Sequence, residues 1–437
     1  MATTKRTLLS TILFVFILNG HSKFILSANI ENNCLIKKDY IDLDSSKSPL
    51  VLYPNYVMNF GIEGFSYSKH LLNYLYPIND VTCFYGDSSR SSMIMRLACP
   101  GKTLVFPSSA SKINSLNLSS ATLILYMKMF LKVTEYSTYF DIDKLRDYPI
   151  TCSGVYEPTI KPIKPNTYTI GYQINILDFL PTIYLSYDED KKEITAHAKV
   201  KYIVNGKPKV TENNTYVNSL TFDNITFADI YNKEYQLNIL KELLKNDTLL
   251  DMYTAGENYL VPAQLISKED LFYVSEQRCT LFYENTVPMW KSINEGNWKL
   301  VDEIIRKLAE ETKSDFNIFA GSINTLNIND NLIYFGNYKN NTIVPVPKVV
   351  YKIAHDPSVI EKHHSDMHVM QKNVRGVAFI TVNDPYVNIT QHKNVYCNKL
   401  IDNNNIYPSF SIVEKGYTYA CALEDFNLWQ SIRKTFY

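Results

Sequence analysis

The sequence predicts an α+β protein with mixed and antiparallel sheets, in which a small, mostly-β unit over residues 29–155 precedes a larger α+β domain over 165–437. Three observations carry that expectation. Residues 29 to about 150 hold short apolar runs, Leu50–Tyr53, Ser92–Ala98, Thr103–Phe106 and Ala121–Met127, interrupted by Pro, Asn, Asp and Ser, with no long helical period. The stretch Glu157–Pro165 places three prolines in nine residues, the composition of a boundary or stiff connector. Beyond it, strand-like and helix-like periods alternate.

In that second part, Thr167–Ile176, Thr182–Tyr187 and Glu193–Val204 read as strands. Tyr231–Leu244 has helical spacing, with Leu237, Ile239, Leu240, Leu243 and Leu244 as its apolar set. Val301–Thr312 reads as a second helix with Ile304, Ile305 and Leu308 on one face. Asp302 and Glu303 stand at its N-terminal end, where the helix dipole favours negative charge. Phe316–Gly321, Asn331–Tyr334, Lys348–Ile353 and Gly376–Val382 are further strand candidates.

Composition narrows the classes. Of the 437 residues, 46% are hydrophobic and 20% charged, which excludes a disordered or collagen-like chain. Lys+Arg and Asp+Glu are 44 each, so any surface that attracts nucleic acid is a local patch. Lys5 and Arg6 followed by the uncharged run Thr7–Leu18, then Gly20, Ser22, Ser27 and Ala28, predict a signal peptide within residues 1–28. No later run reaches the roughly 18 apolar residues of a membrane span, so the expectation is a secreted, extracellular protein without a membrane contact after cleavage. Sequons at Asn117, Asn213, Asn224, Asn246, Asn340 and Asn388 fit a glycoprotein. Seven cysteines without a CxxC argue against structural zinc and for disulfides. Short loops suggest Cys83–Cys99 and Cys397–Cys421, and the odd total leaves at least one thiol over. No GxSxG, P-loop, HExxH or GxGxxG stands in a supporting context.

Residues 253–302 carry the most specific pattern. Leu260-Val-Pro-Ala263 is followed by Asn285-Thr-Val-Pro-Met289, by Asn294-Glu-Gly-Asn-Trp298 and by Asp302. Downstream stand Phe319-Ala-Gly321, Pro345-Val-Pro-Lys-Val-Val-Tyr-Lys352, Gly376-Val-Ala-Phe379 and the ending Cys397…Gly416-Tyr-Thr-Tyr-Ala-Cys421. In order and spacing this resembles the DNA/RNA non-specific endonuclease family, a ββα-metal nuclease fold, over roughly 165–437. It closely resembles the family's insect secreted branch, the salivary nuclease-like nucleic-acid-binding proteins of tsetse flies.

The resemblance implies a Mg²⁺ on Asn294 and waters, a His as general base and an Arg against the phosphate. Asn285 and Asp302 fall at further catalytic positions, Asp302 in place of the family's Glu. Tyr259 stands where the family has its general-base His. A phenol with a pKa of about 10 is a poor base at neutral pH, and losing a general base costs about 10²–10⁴-fold. No Arg occurs between 147 and 277, so the upstream transition-state Arg is missing as well.

Together with the resemblance these imply a secreted, salivary-type binder of DNA and/or RNA, sequence-independent, with weak or no residual cleavage. The alternatives are an active metal-dependent endonuclease with another base, and an interaction protein that does not bind nucleic acid. Candidate phosphate contacts are Lys199 and Lys201, in the cluster Lys191, Lys192, Lys207 and Lys209, and Lys291, Lys299 and Arg306 beside Lys307. Each cluster equally reads as a solvated face. Tyr259 reads as a packed residue or a stacking platform. His197 is a substitute base only if it faces the cleft. His364 and His368 have metal-ligand spacing without a third ligand, in a polar stretch that reads as a loop.

Overall fold

The computed structural model describes residues 40–436 apart from 54–55, 60–65, 70–71, 78–93, 108–113, 127–129, 134–137, 142–143, 202–214, 218–220, 223–224, 338–341, 358–375, 390–394 and 402–406. The expected signal peptide, Cys34, Cys83, Lys207, Lys209, His364, His368 and the sequons at Asn213, Asn224 and Asn340 lie outside the described residues.

Two sheets organise the chain. The first has five strands in the order Leu50–Leu52, Ile94–Ala98, Ser120–Tyr126, Phe130–Val133, Thr138–Asp141, and every neighbouring pair is antiparallel. The second has eight, all antiparallel: Thr159–Lys164, Thr167–Gln173, Phe179–Asp188, Glu193–Val200, Phe316–Thr325, Pro347–His355, Gly376–Val382 and Thr418–Ala422. The proline-rich stretch expected as a connector is therefore an edge strand. An edge needs no N–H donors on its outer side, and the register slips between Pro162 and Lys164.

The centre of the large sheet is buried on both faces, which is why Gly376–Val382 is apolar throughout rather than alternating. Ile318, Ala320, Val350, Ala354, Val377 and Phe379 point to one core. Phe319, Tyr351, Ile353, Ala378, Ile380 and Tyr419 point to the other, which Leu423, Phe426, Trp429 and Ile432 close. The first core runs without a break into the five-stranded sheet, through Leu50, Val51, Met95 and Leu97.

Tyrosines make that junction, because their rings bury apolar area while their hydroxyls still reach a polar partner. Tyr273 donates to the Leu75 carbonyl, Tyr76 to the Glu276 carboxylate, and Tyr172 to the Ser275 carbonyl at 2.8 Å. Tyr74 stacks on Tyr273 with ring centroids 5.7 Å apart. Arg278 donates to the main-chain carbonyls of Ser46 (2.7 Å) and Tyr156 (3.2 Å). Cys279, the free thiol among the described residues, lies in this layer, and burial pushes it up to about 12, so it stays an unreactive thiol.

Among the described residues the disulfides are Cys397–Cys421, as expected, and Cys99–Cys152, which takes Cys99 away from the expected Cys83–Cys99 pair. Pairing of Leu104–Val105 with Thr151–Cys152 brings residues 53 apart in sequence to a Cα separation of 5.7 Å. A sheet sets which cysteines meet; loop length does not. Reduction of the Cys397–Cys421 bridge by Cys397→Ser with Cys421→Ser is expected to cost about 3 kcal/mol, read from urea unfolding.

His197 lies in the second core. It stacks on Phe319 at 4.3 Å and is 4% exposed, so it does not serve as a base in any cleft. Burial, aided by Lys199 and His355, pushes its pKa down to about 3. An unfolded chain protonates this imidazole near 6.5, so the unfolded state takes up more protons between pH 6.5 and 3 and stability falls on acidification through that window. His197→Leu should flatten the fall of the thermal midpoint between pH 6.5 and 4; an unchanged slope would show that other groups set it.

Candidate functional site

Between the large-sheet strands Glu193–Val200 and Phe316–Thr325, the chain leaves the sheet and builds a hairpin followed by a helix. Leu260–Gln264 pairs antiparallel with Thr286–Trp290, in the register Leu260↔Trp290 to Gln264↔Thr286. Lys291–Ile293, the turn Asn294–Trp298 and the helix Lys299–Thr312 follow without a break. The helix buries Val301, Ile304, Ile305 and Leu308, as the spacing predicts, and starts two residues earlier.

Several of the motif residues have a local task in this unit. Asn285 is 0% exposed, accepts from the Ile266 N–H (3.0 Å), and donates to the carbonyls of Ile266 (2.8 Å) and Thr280 (3.1 Å). Its amide is committed to closing the loop 265–285, so it is placed as a scaffold residue and not in the cleft. Gly296 has no room for a side chain, since a Cβ would meet the Lys415 carbonyl at 2.7 Å. Asn297 donates to the carbonyls of Ser409 (2.8 Å) and Gly416 (2.6 Å), tying the turn to the C-terminal motif. Trp298 donates from Nε1 to the Gln264 carbonyl at 3.1 Å, tying the helix start to the hairpin.

A cleft of about 220 Å³ opens against this unit. Pro262, Gln264, Asn294, Glu295, Trp298, Lys299, Asp302 and Arg306 line it, together with Tyr216, Ser267 and Glu269. The structure thus brings together Asn294, Asp302, Lys299 and Arg306 from the sequence-derived set. It leaves out Tyr259, Lys199, Lys201 and Lys291. Lys199 lies opposite Asn317 on the large sheet, and Lys201 pairs with Asp315 at 3.3 Å. Tyr259 extends the hairpin beyond Leu260, with its carbonyl bound to the Lys291 N–H at 2.9 Å. No described residue lining the cleft is a histidine.

The cleft's charges are largely neutralised by one another. Arg306 binds the buried Asp270 (3.0 Å) and Glu269 (3.1 Å). Asp302 binds Lys352, which the sequence reading noted only as part of a motif. Lys352 is fully buried in the middle of Pro347–His355, and its ammonium lies 4.5 Å from the centroid of the Trp298 ring. Burial pushes the Asp302 carboxyl up to about 6, while Lys352 pulls it down and Asp270 adds to the rise. Tyr216 was also missed. It stacks on Tyr283 (4.9 Å), which stacks on Tyr231 (5.6 Å), forming an aromatic wall that only the fold assembles.

Residues 264–426 match the model of the DNA/RNA non-specific endonuclease family. The chain is 28% identical over 171 residues to a salivary endonuclease of Lutzomyia longipalpis, covering 39% of this chain and 38% of that protein. Over residues 264–426 the chain is similar to the DNA/RNA non-specific endonuclease family. Two salivary proteins of Glossina morsitans morsitans are also similar to it. Tsal2A is 28% identical over 172 residues (39% of this chain, 40% of that protein), and Tsal1 is 23% identical over 263 residues (58% and 61%). The chain therefore aligns with less than two thirds of the length of each relative. The hairpin and the helix Lys299–Thr312 supply the ββα unit of an α+β fold.

Could the cleft seat the family's hard divalent cation? Asn294 offers a neutral oxygen donor, and Glu295 and Asp302 stand beside it to accept from a cation's waters. The donor set fits a hydrated Mg²⁺ held by one direct ligand. Its charge is weak, because Lys352 already neutralises Asp302. Lys352→Met leaves that buried carboxylate without its partner and is expected to destabilise the fold by about 3–5 kcal/mol in urea titrations. Asp302→Leu in the same background should recover much of the loss; no recovery would mean that Lys352 acts through packing alone.

Proposed function

We propose that the protein is a secreted, sequence-independent binder of DNA or RNA on a nuclease scaffold, with weak or no phosphodiester hydrolysis. The observation that carries the reading is the composition of the cleft. Asn294 and Asp302 are kept, whereas no described lining residue is a histidine and Arg306 is engaged by Asp270 and Glu269. Hydrolysis needs a base to take the proton of the attacking water and a cation to meet charge growing on the phosphate. Tyr259 lies outside the cleft, and a phenol supplies little base at neutral pH.

What the cleft retains suits binding. Lys299 is exposed on its rim, and Tyr216 presents an aromatic face. A Mg²⁺ on Asn294, when bound, would screen the phosphate from Glu295 and Asp302. Secretion into saliva is supported by the N-terminal sequence and by the salivary relatives. The division into a β-rich unit over 29–155 and a nuclease-family part over 165–437 belongs to the same reading. A second reading, an active endonuclease with another base, is favoured by the relative named a salivary endonuclease.

Fluorescent duplex DNA and RNA titrated with the purified protein at rising salt, with Mg²⁺ or with EDTA, separate these readings when the same samples are run on a gel. Expected is binding whose log affinity falls linearly with log salt, about 0.9 per phosphate contacted on duplex DNA, with the nucleic acid left intact. Rapid Mg²⁺-dependent cleavage would establish the endonuclease instead. Absence of binding at low salt would exclude both.

A further inference from the structure

Resting on the nucleic-acid reading of this chain, we propose that Tyr259, Lys291 and Lys233 form a second subsite, outside the cleft, for an unstacked nucleotide of a single strand. The base lies on the Tyr259 ring, and the two lysines take the flanking phosphates.

The geometry is held by main chain. Tyr259 and Lys291 face each other across the hairpin, one step beyond the Leu260↔Trp290 pair, with the Lys291 N–H on the Tyr259 carbonyl at 2.9 Å. The Asn258 side chain adds a further tie, its Oδ1 accepting from the Ser292 N–H at 3.0 Å. Lys233 comes from the helix Lys233–Leu244. That helix is fixed to the same strand by Gln236, which accepts from the Leu260 N–H (2.9 Å) and donates to the Leu260 carbonyl (2.8 Å). The two ammonium groups come within 5.5 Å (Lys291) and 5.9 Å (Lys233) of the Tyr259 ring centroid.

The ring is half-buried, so part of its surface is open, and no described residue shares a hydrogen bond with its hydroxyl. Lys233 is exposed and Lys291 half-buried, and an ammonium in solvent contact lies loosely on an aromatic ring and can move to a phosphate. Lys233 already holds an anion, the Glu257 carboxylate at 3.0 Å. Glu257 projects from a left-handed turn, with φ of 60° after Gly256 at 61°, and its side chain is 75% exposed. That carboxylate stands in for the phosphate oxygen and competes with it.

A single strand fits this arrangement better than a duplex. Bases in a duplex are stacked and paired, so their faces are not available, whereas a free strand can lay one on an aromatic side chain.

The test measures affinity for a dT oligonucleotide, an unstructured RNA and a DNA duplex by fluorescence anisotropy. Tyr259→Leu is expected to bind both single strands about ten-fold more weakly and the duplex within two-fold of wild type, at an unchanged thermal midpoint. Tyr259→Phe should keep wild-type affinity, and Glu257→Gln should bind single strands about three-fold more tightly. Equal losses for single strand and duplex, or no loss for either in Tyr259→Leu, would overturn the subsite while leaving nucleic-acid binding in place. Wild-type protein that binds neither form at low salt would overturn both together.

Discussion

A lysine in the middle of a buried apolar strand is held there by one carboxylate and one indole. Lys352 lies between Ala320 and Phe379 in the large sheet, yet its ammonium crosses to the helix of the ββα unit. Removing a charge from water costs several kcal/mol, and only a close, well-oriented partner offsets it. Asp302 is that partner, and Trp298 covers the pair. Trp298 in turn holds the Gln264 carbonyl, so sheet, helix and hairpin are joined through three consecutive contacts. The cleft exists where those three elements meet.

The same pair determines what the cleft does electrically. An ionised Asp302 without Lys352 would strengthen the pull on a divalent cation at Asn294 and repel a phosphate. With Lys352 behind it, the carboxylate is close to neutral as seen from the cleft. Arg306 is balanced from the other direction by Asp270 and Glu269. Neither a strong cation trap nor a strong anion trap remains, which agrees with a chain whose formal charge is zero. On the proposed reading, affinity for a polyanion is gathered from dispersed groups such as Lys299 on the rim and Lys233 and Lys291 outside it.

Much of the scaffold was legible because it is written in local periods. The helix Lys299–Thr312 and the strands Gly376–Val382 and Pro347–His355 follow directly from apolar spacing. The helix Lys233–Leu244 was legible in extent but not in its face. Leu237, in the apolar set, is 41% exposed, while Gln236 is buried because it completes the hydrogen bonds of Leu260. Cys99 was paired with the wrong cysteine for a related reason, since a strand pairing 53 residues away outweighs a short loop. Lys352 could not be assigned a role, because a lysine in an apolar run announces a partner without naming it. His197 has the opposite history, a chemically able side chain that the alternation of its strand turns into the core.

The motif residues themselves show why likeness of sequence and likeness of chemistry separate here. Gly296 is required by the approach of Lys415, Asn297 by the C-terminal loop, Asn285 by the loop it closes, and Trp298 by Gln264. Each is required by packing or hydrogen bonding within the fold, whatever the cleft does. Positions whose only demand is chemical are free to change once that demand relaxes. Tyr259 is such a position: its main chain is fixed by Lys291, while its side chain is held by no described hydrogen bond. On the proposed reading, a ring outside the cleft can then serve for stacking, a role that needs a face and neighbouring charge but no proton transfer.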